Sequence, residues 1–409
     1  LKNLTYINDK FYVTSENETY FNGVKLEKIK NEYRFNINNY YFMALFNKIL
    51  IANRGEIAVR IIRACRELGI KTVVAYSKAD ENSLPVKLAD QAVCIGPAPA
   101  AESYLQIERL IGVCEICDVD AIHPGYGFLS ENADFARLCE ENGIVFIGPR
   151  SEVISAMGDK DASRQLMQQV GVPVVPGTEI LKNADEAKEQ AKAIGYPLLV
   201  KATAGGGGKG IRVVEREEDL EEAFHTASRE AASAFGNGDV FLEKYLTHVR
   251  HVEMQVLADH EGNILCLGER DCSLQLNKQK VLEETPSPVM TEEIRQSMME
   301  AAIKAAKAAD YTNAGTVEFL LAPDGQFYFI EMNPRLQVEH PITEEISGVD
   351  IVKWQIRIAC QVPLDLKQED IQVLVYIIKQ KMNFERGYNM SSVFFEILLN
   401  TLKLCVHFV

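Results

Sequence analysis

The chain has 409 residues, a length that fits two or three domains better than one. With 47% hydrophobic and 25% charged residues it has the balance of a folded globular protein, which excludes disorder throughout. A net charge of −15 makes nucleic acid a poor partner, yet leaves room for a local basic pocket around a small anion.

Residues 1–42 hold ten Phe or Tyr and eight Asn with no Pro and no Ala, unlike anything after Met43. This segment reads as upstream or foreign sequence joined in frame, or else as a small native β element. The first residues lack the basic-then-apolar order of a secretory leader, and no apolar run reaches membrane-spanning length. Nine irregularly spaced cysteines read as reduced thiols, so the expected setting is cytoplasmic, with no membrane partner.

From Lys48 strand and helix patterns alternate. KILIA at 48–52 reads as a buried strand, 56–68 as a helix stopped by Gly69, and TVVAY at 72–76 as the next strand. Short strands follow at 92–95, 121–123 and 145–147, a βαβ alternation that predicts a parallel sheet covered by helices. The pattern shifts to paired strands and longer helices near Met157, which places a domain boundary there.

Residues 197–214 read PLLVKATAGGGGKGIRVV. A strand follows the glycines where a dinucleotide fold needs a helix, and Gly210 follows Lys209 where a Walker loop needs Ser or Thr. The remaining reading is a flexible hairpin. The entropy lost on ordering four consecutive glycines is justified when backbone N–H groups must close on an anion, with Lys201 as a phosphate partner.

TVEFLLAPDGQFYFIEMNPR reads as a hairpin about a two-residue Asp324-Gly325 turn. Symmetric pairing sets Phe319 opposite Ile330 and Glu318 opposite Glu331, with Asn333 on the same face as Glu331. Opposed carboxylates repel unless a cation lies between them, and this all-oxygen set suits Mg²⁺ held jointly with phosphates. The loop that follows packs Asn333, Arg335, Gln337, Glu339 and His340 between Pro334 and Pro341. An Arg and a Glu so close can hold a small anion and take its proton.

Several signals carry less. Cys114-x-x-Cys117 lacks a second pair at metal spacing and reads as a helix face; Cys272 and His123 read as structural; His225, His248 and His260 read as solvated. The helix pattern at 290–309 reads as core, its methionines included.

A phosphate-closing hairpin, lysines and a Glu/Glu/Asn set together indicate ATP-driven phosphoryl transfer. The motifs KILIANRGEIAVRIIRACRELG, AIHPGYGFLSEN, FIGP, MGDK, GGGGKG, RHVEMQV, ERDCS and FIEMNPRLQVEHPITE run from about residue 44 to 371, and with them the chain resembles the biotin carboxylases of the ATP-grasp superfamily. The resemblance implies an α/β protein with a Rossmann-like N-terminal domain over 43–156 and an ATP-grasp domain over 157–372, whose glycine-rich lid covers about 172–245. It implies a ligase in which ATP activates bicarbonate as carboxyphosphate and CO₂ passes to biotin on a biotin carboxyl carrier protein. A carboxyltransferase then completes the work, most simply in acetyl-CoA carboxylase and fatty-acid synthesis; pyruvate and propionyl-CoA carboxylases begin with the same motifs, and the other alternative is a truncated remnant that binds ATP but does not carboxylate biotin. The family is usually a homodimer.

Carried over residue by residue, the resemblance implies that Lys160, Lys201, Gly207 and Gly208 meet nucleotide phosphates. Glu243, Lys244 and Leu246 would line the adenine site, with His251, Gln275 and Lys278 as further nucleotide contacts. Glu318, Glu331 and Asn333 match the ligands of Mg²⁺ or Mn²⁺. Lys280, Arg335, Gln337 and Val338 would hold bicarbonate, Glu339 would be the base, and Arg335 the catalytic arginine beside it. Two departures stand out. Lys278 replaces the family's histidine, and residues 373–409 stand where the family's C-terminal lobe opens with a GHA-ECR-type strand. The expectation is a near-complete ATP site, an incomplete biotin side, and exposed apolar surface that lowers solubility.

Overall fold

The computed structural model describes residues 46–203, 210–276 and 279–371 with their side chains, except those of 234–235, and the backbone of strands within 3–34 and at 377–380. Gly207, Gly208 and Lys278 lie outside the described residues, as does most of 373–409.

Strands β1 (Asn3–Ile7), β2 (Lys10–Thr14), β3 (Thr19–Phe21), β4 (Val24–Ile29) and β5 (Glu32–Arg34) pair in chain order as an antiparallel meander.

Next come β6 (Lys48–Ile51), β7 (Lys71–Ser77), β8 (Gln91–Gly96), β9 (Ala121–His123) and β10 (Val145–Phe146), a wholly parallel sheet ordered β10-β9-β6-β7-β8. Alternation explains its two covered faces. Ile49 and Ile51 enter one core with Val74, whereas Leu50 enters the other with Val73, Ala75 and Ile122. The helix Gly55–Glu67 buries Ile57, Ala58, Ile61, Ile62 and Cys65 along one stripe. It ends in a Schellman turn: Gly69 takes φ +75°, its N–H donates to the Arg66 carbonyl (3.1 Å), and the Ile70 N–H donates to that of Cys65 (2.8 Å).

The helix Ser151–Gly158 leads onward, giving Ile154 to the core of the parallel sheet and Val153 and Met157 to the next core. A small antiparallel sheet follows, β12-β11-β13, built from β11 (Leu198–Ala202), β12 (Ile211–Val214) and β13 (Val240–Lys244). Helices Ala184–Ile194 and Leu220–Phe235 cover one side of it.

The largest sheet is antiparallel and runs β18-β17-β14-β15-β16-β19. Its strands are β14 (Arg250–Ala258), β15 (Ile264–Leu276), β16 (Gln279–Thr285), β17 (Asn313–Leu321), β18 (Phe327–Asn333) and β19 (Ile377–Gln380). The helix Glu292–Ala308 packs Met298, Ala301, Ala302, Ala305 and Ala306 onto one face, against Val252, Met254 and Val256. The odd-numbered residues His251, Glu253 and Gln255 therefore face the other way. The α/β expectation holds: after the β1–β5 meander comes a parallel sheet, and antiparallel sheets follow it.

The β17–β18 hairpin differs in detail from its sequence reading. The turn is a three-residue loop, because Ala322 N–H donates to the Gln326 carbonyl (2.8 Å) while Gly325 takes φ +85°. This slips the register by one, so Phe319 faces Phe329 rather than Ile330. A bulge between Glu318 and Phe319 then restores it, and Glu318 faces Glu331 as the symmetric pairing requires.

Apolar contacts join the two large sheets. Ile49, Ile51 and Ile61 share one core with Leu257, Leu267, Leu336 and the helix Ile351–Ala359. Arg60 adds ion pairs to Glu344 (2.9 Å) and Asp350 (2.6 Å).

Candidate active site

The polar face of the antiparallel sheet carries a row of charge. In register across four strands stand Arg270, Glu253, Glu318 and Glu331. Glu253 is 0% exposed and Glu318 5%, so their repulsion is not relieved by water. Cations meet them instead. Lys280 Nζ, from β16, lies 2.5 Å from Glu253 Oε2, 2.9 Å from Glu318 Oε1 and 2.8 Å from Glu339 Oε1. His251 Nε2 is 2.8 Å from Glu318 Oε2, and Lys160 Nζ is 3.4 Å from Glu331.

These contacts set the protonation states. Burial acts to raise the Glu318 carboxyl, but His251 and Lys280 outweigh it and bring it down to about 2. Burial acts to lower Lys280, and the carboxylates of Glu253, Glu318 and Glu339 overturn that, leaving it raised. His251 is likewise raised, burial being outweighed by Glu318. Burial pushes the Cys272 thiol well above its usual range, so it stays protonated among its neighbours. Its sulfur lies with Glu253 and Glu339 carboxylate oxygens in a cluster whose atoms are all within 4.8 Å, although its sequence neighbours show no such partners.

The loop after β18 folds onto this row. Asn333 Nδ2 and Gln337 Nε2 both donate to Glu318 Oε1, at 2.9 and 3.3 Å. Arg335 donates to Asn333 Oδ1 (3.0 Å) and Gln337 Oε1 (2.9 Å), and its Nε pairs with Glu131 of the parallel-sheet layer at 2.7 Å. Glu339 is the N-cap residue of the helix His340–Ser347, itself buried, and Val338 beside it is half-buried. Lys280 thus sets a positive group against the buried Glu339 carboxylate, and Arg335 is joined through Gln337 to Glu318, which the same Lys280 contacts; such a set can hold a small anion and receive its proton.

The nucleotide-side residues sit on the small sheet and its rim. Lys201 on β11 pairs with Glu243 on β13 (2.6 Å). The Lys244 ammonium donates to the carbonyls of Gly195 and Tyr196, both at 3.1 Å, so it braces the backbone leading into β11. Leu246 is half-buried just beyond β13. Gln275 Nε2 reaches His251 Nδ1 at 3.3 Å and the Cys272 carbonyl at 3.1 Å. Lys160 opens the helix Lys160–Gln169 and borders a cavity of about 680 Å³ lined also by Asp159, Thr203, Asn237 and Asp239. Thr203 and Gly210 flank the glycine loop; Gly210 takes φ +74°, and a Cβ there would lie 2.8 Å from that of Ala202.

Glu318, Glu331 and Asn333 stand on one face at adjacent register positions, and all three offer oxygen. Two opposed carboxylates and an amide oxygen fit a hard divalent cation shared with phosphates. Two central residues escaped the sequence argument, Glu253 and Arg270. The signal was present: His251, Glu253 and Gln255 alternate within an otherwise apolar strand, the mark of a polar inner face.

Comparison with known proteins gives two family matches. Residues 45–154 match the biotin carboxylase N-terminal domain, and 159–367 the carbamoyl-phosphate synthase L chain ATP-binding domain. The chain is 55% identical over 343 residues to biotin carboxylase 1 of Bacillus subtilis, covering 83% of this chain and 76% of that protein. It is 53% identical over 342 residues to a pyruvate carboxylase subunit of Methanothermobacter thermautotrophicus, covering 83% and 70%. Among solved structures, the Campylobacter jejuni biotin carboxylase in complex with beta-gamma-ATP matches with TM-score 0.76 and 50% identity, over 80% of this chain and 74% of that one. The biotin carboxylase domain dimer of Hydrogenobacter thermophilus 2-oxoglutarate carboxylase, bound to MgADP, ADP and bicarbonate, matches with TM-score 0.76 and 53% identity, over 82% and 74%.

Proposed function

Since the chain belongs to the biotin carboxylase family, we propose that its buried charge row is the site where ATP activates bicarbonate for the carboxylation of biotin on a carrier protein. The observation that carries this reading is the meeting of Lys280 at 2.8 Å with Glu339, on the loop that also carries Arg335; it offers both a grip for bicarbonate and a base for its proton. Arg335, Lys280, Gln337 and the backbone at Val338 hold bicarbonate, and Glu339 takes its proton. The freed oxygen attacks the γ-phosphorus of ATP, the bond to the bridging oxygen breaks, and ADP leaves. The resulting carboxyphosphate splits into phosphate and CO₂, which bonds to a ureido nitrogen of biotin as that nitrogen gives up its proton.

Lys160 and Lys201 steady the phosphates, Gly207 and Gly208 close over them, Glu243, Lys244 and Leu246 border the adenine, and His251, Gln275 and Lys278 are further nucleotide contacts. Glu318, Glu331 and Asn333 would hold Mg²⁺ or Mn²⁺, which when bound neutralises phosphate oxygens. The domains follow the same division, 43–156 and 157–372. The partners are the carrier protein, a carboxyltransferase and a second copy of the chain; a dimer is supported by the Hydrogenobacter domain. Among the described residues no helix is long and apolar enough to cross a membrane, and we place the protein in the cytoplasm.

The assigned complex is acetyl-CoA carboxylase, feeding fatty-acid synthesis. Identity of 53% to a pyruvate carboxylase component supports a second reading, in which the carboxyl group reaches a keto acid. Phosphate release from Mg-ATP, with and without bicarbonate, tests the core of the proposal. Release that depends on bicarbonate supports it, whereas nucleotide binding with bicarbonate-independent or absent release contradicts it. Assay of the carboxylated carrier with acetyl-CoA and with pyruvate then separates the two acceptors.

A further inference from the structure

Arg270 is the largest of the fully buried side chains, with 0% of its surface exposed. A guanidinium removed from water must be matched by acceptors along its fork, and those acceptors come from three other elements. Nε donates to Glu253 Oε1 on β14 at 2.5 Å, and Nη1 to Gln255 Oε1 on the same strand at 2.8 Å. Nη1 also reaches Thr343 Oγ1 on the helix His340–Ser347 at 2.8 Å, and Nη2 reaches Thr316 Oγ1 on β17 at 3.2 Å.

Two of these arms lead to the reacting groups. Glu253 takes Arg270 on one oxygen and Lys280 on the other, at 2.5 Å each. Thr343 lies in the helix that Glu339 caps, and Glu339 Oε1 itself accepts from Lys280 at 2.8 Å. The contacts close a ring: Arg270, Glu253, Lys280, Glu339, the first turn of the helix, Thr343, and Arg270 again. A point charge would neutralise Glu253 alone. The rigid fork fixes the Glu253 carboxylate and the helix together, and so the distance between the ammonium and the base.

We propose that Arg270 is a positioning residue that sets the spacing of Lys280 and Glu339, and thereby governs the handling of bicarbonate while leaving nucleotide affinity unchanged. The proposal rests on the bicarbonate reading of the site. Its test uses the full chain with Arg270→Lys, which keeps the charge and loses the fork, and Thr343→Val, which removes only the helix arm. Two readouts are taken: kinetics of phosphate release from Mg-ATP, and the shift in unfolding midpoint that bicarbonate produces in the presence of Mg-ADP.

For Arg270→Lys the expected result is a KM for bicarbonate raised about 10- to 100-fold, the range seen when outer partners of site ligands are lost. The KM for ATP stays within about twofold, and the bicarbonate-induced shift disappears. Thr343→Val moves the same quantities in the same direction by less. Equal rises in both KM values, or a lowered unfolding midpoint with an unchanged KM for bicarbonate, would overturn the proposal and leave Arg270 a purely structural residue. Should Arg270→Lys fail to fold, an unchanged KM for bicarbonate in Thr343→Val overturns it as well. An unsubstituted chain silent to bicarbonate in both readouts refutes the underlying reading, and the proposal with it. A responsive chain with unresponsive variants upholds both.

Discussion

The parallel sheet β6–β10 and the antiparallel sheet β14–β18 place polarity differently. In the first, successive residues such as Ile49, Leu50 and Ile51 are all buried, since helices and neighbouring elements cover both faces. Its link to the charged face runs through a loop beyond a strand end, where Glu131 pairs with Arg335. In the second, one face is as apolar as any core, while the other holds Glu253, Arg270 and Glu318 with almost no exposure. The comparison teaches that burial has two meanings in this molecule. In one sheet it supplies stability directly; in the other it consumes stability to hold charges in a dry, fixed arrangement where they act strongly on a substrate.

The sharpest break between the two regions is in turnover. Glu339→Gln should lower bicarbonate-dependent phosphate release by about 10²- to 10⁴-fold, the usual contribution of a general base. Mg-ATP affinity by calorimetry should change little. His123→Gln, at the end of β9, should leave that release largely intact.

Stability comes next. Lys280→Met takes the shared ammonium from Glu253, Glu318 and Glu339, leaving Arg270 on the first and His251 on the second, and should cost about 3–5 kcal/mol in denaturant unfolding at neutral pH. Ile122→Ala, in the parallel sheet, should cost about 2–5 kcal/mol through a cavity. The two losses separate on acidification. In the Lys280 variant the carboxyls that lose the ammonium should titrate higher than in the parent chain, so its native state takes up protons first and the deficit shrinks as pH falls. The cavity deficit has no such dependence, and parallel behaviour of the two variants would erase the distinction drawn between the sheets.

A smaller effect links the regions. Burial lowers His123, and the nearby Arg60 adds to this, bringing it to about 3. Burial likewise brings His340 to about 3. Between the usual 6.5 and about 3 the unfolded chain binds the proton and the folded chain does not, so each histidine should remove about 1.4 kcal/mol of stability per pH unit of acidification. Urea titrations across that window should show a flatter acid limb in His123→Gln and in His340→Gln. The least effect is expected from Glu131→Gln, whose half-exposed ion pair with Arg335 should contribute no more than about 1 kcal/mol by the same assay.

Much of this was legible in the residues, for identifiable reasons. Continuous apolar runs located β6, β7 and β9, and a helical stripe the helix after β6, within a residue or so, because these strands are buried on both faces and the helix on one. The Glu318–Glu331 opposition was also readable, although by a route that hid two compensating irregularities, the longer turn and the bulge. The network through Glu253 and Arg270 was harder to see. Their contacts join residues 17 positions apart on paired strands and reach Thr343 a further 73 positions on, and no local pattern encodes such a meeting. Only the polar alternation along β14 pointed towards it. The ion pair of Glu131 with Arg335 crosses between layers and left no local trace at all.

The central claim is that this charged face joins bicarbonate to the γ-phosphate of ATP, and oxygen transfer tests it most directly. The chain would be incubated with Mg-ATP and bicarbonate labelled with ¹⁸O, and the released phosphate weighed by mass spectrometry. The account predicts one labelled oxygen in each phosphate formed by the bicarbonate-dependent reaction, because the attacking oxygen stays on phosphorus when carboxyphosphate breaks down. Unlabelled phosphate, its one new oxygen drawn from solvent, would mean that water attacked instead, and would contradict it.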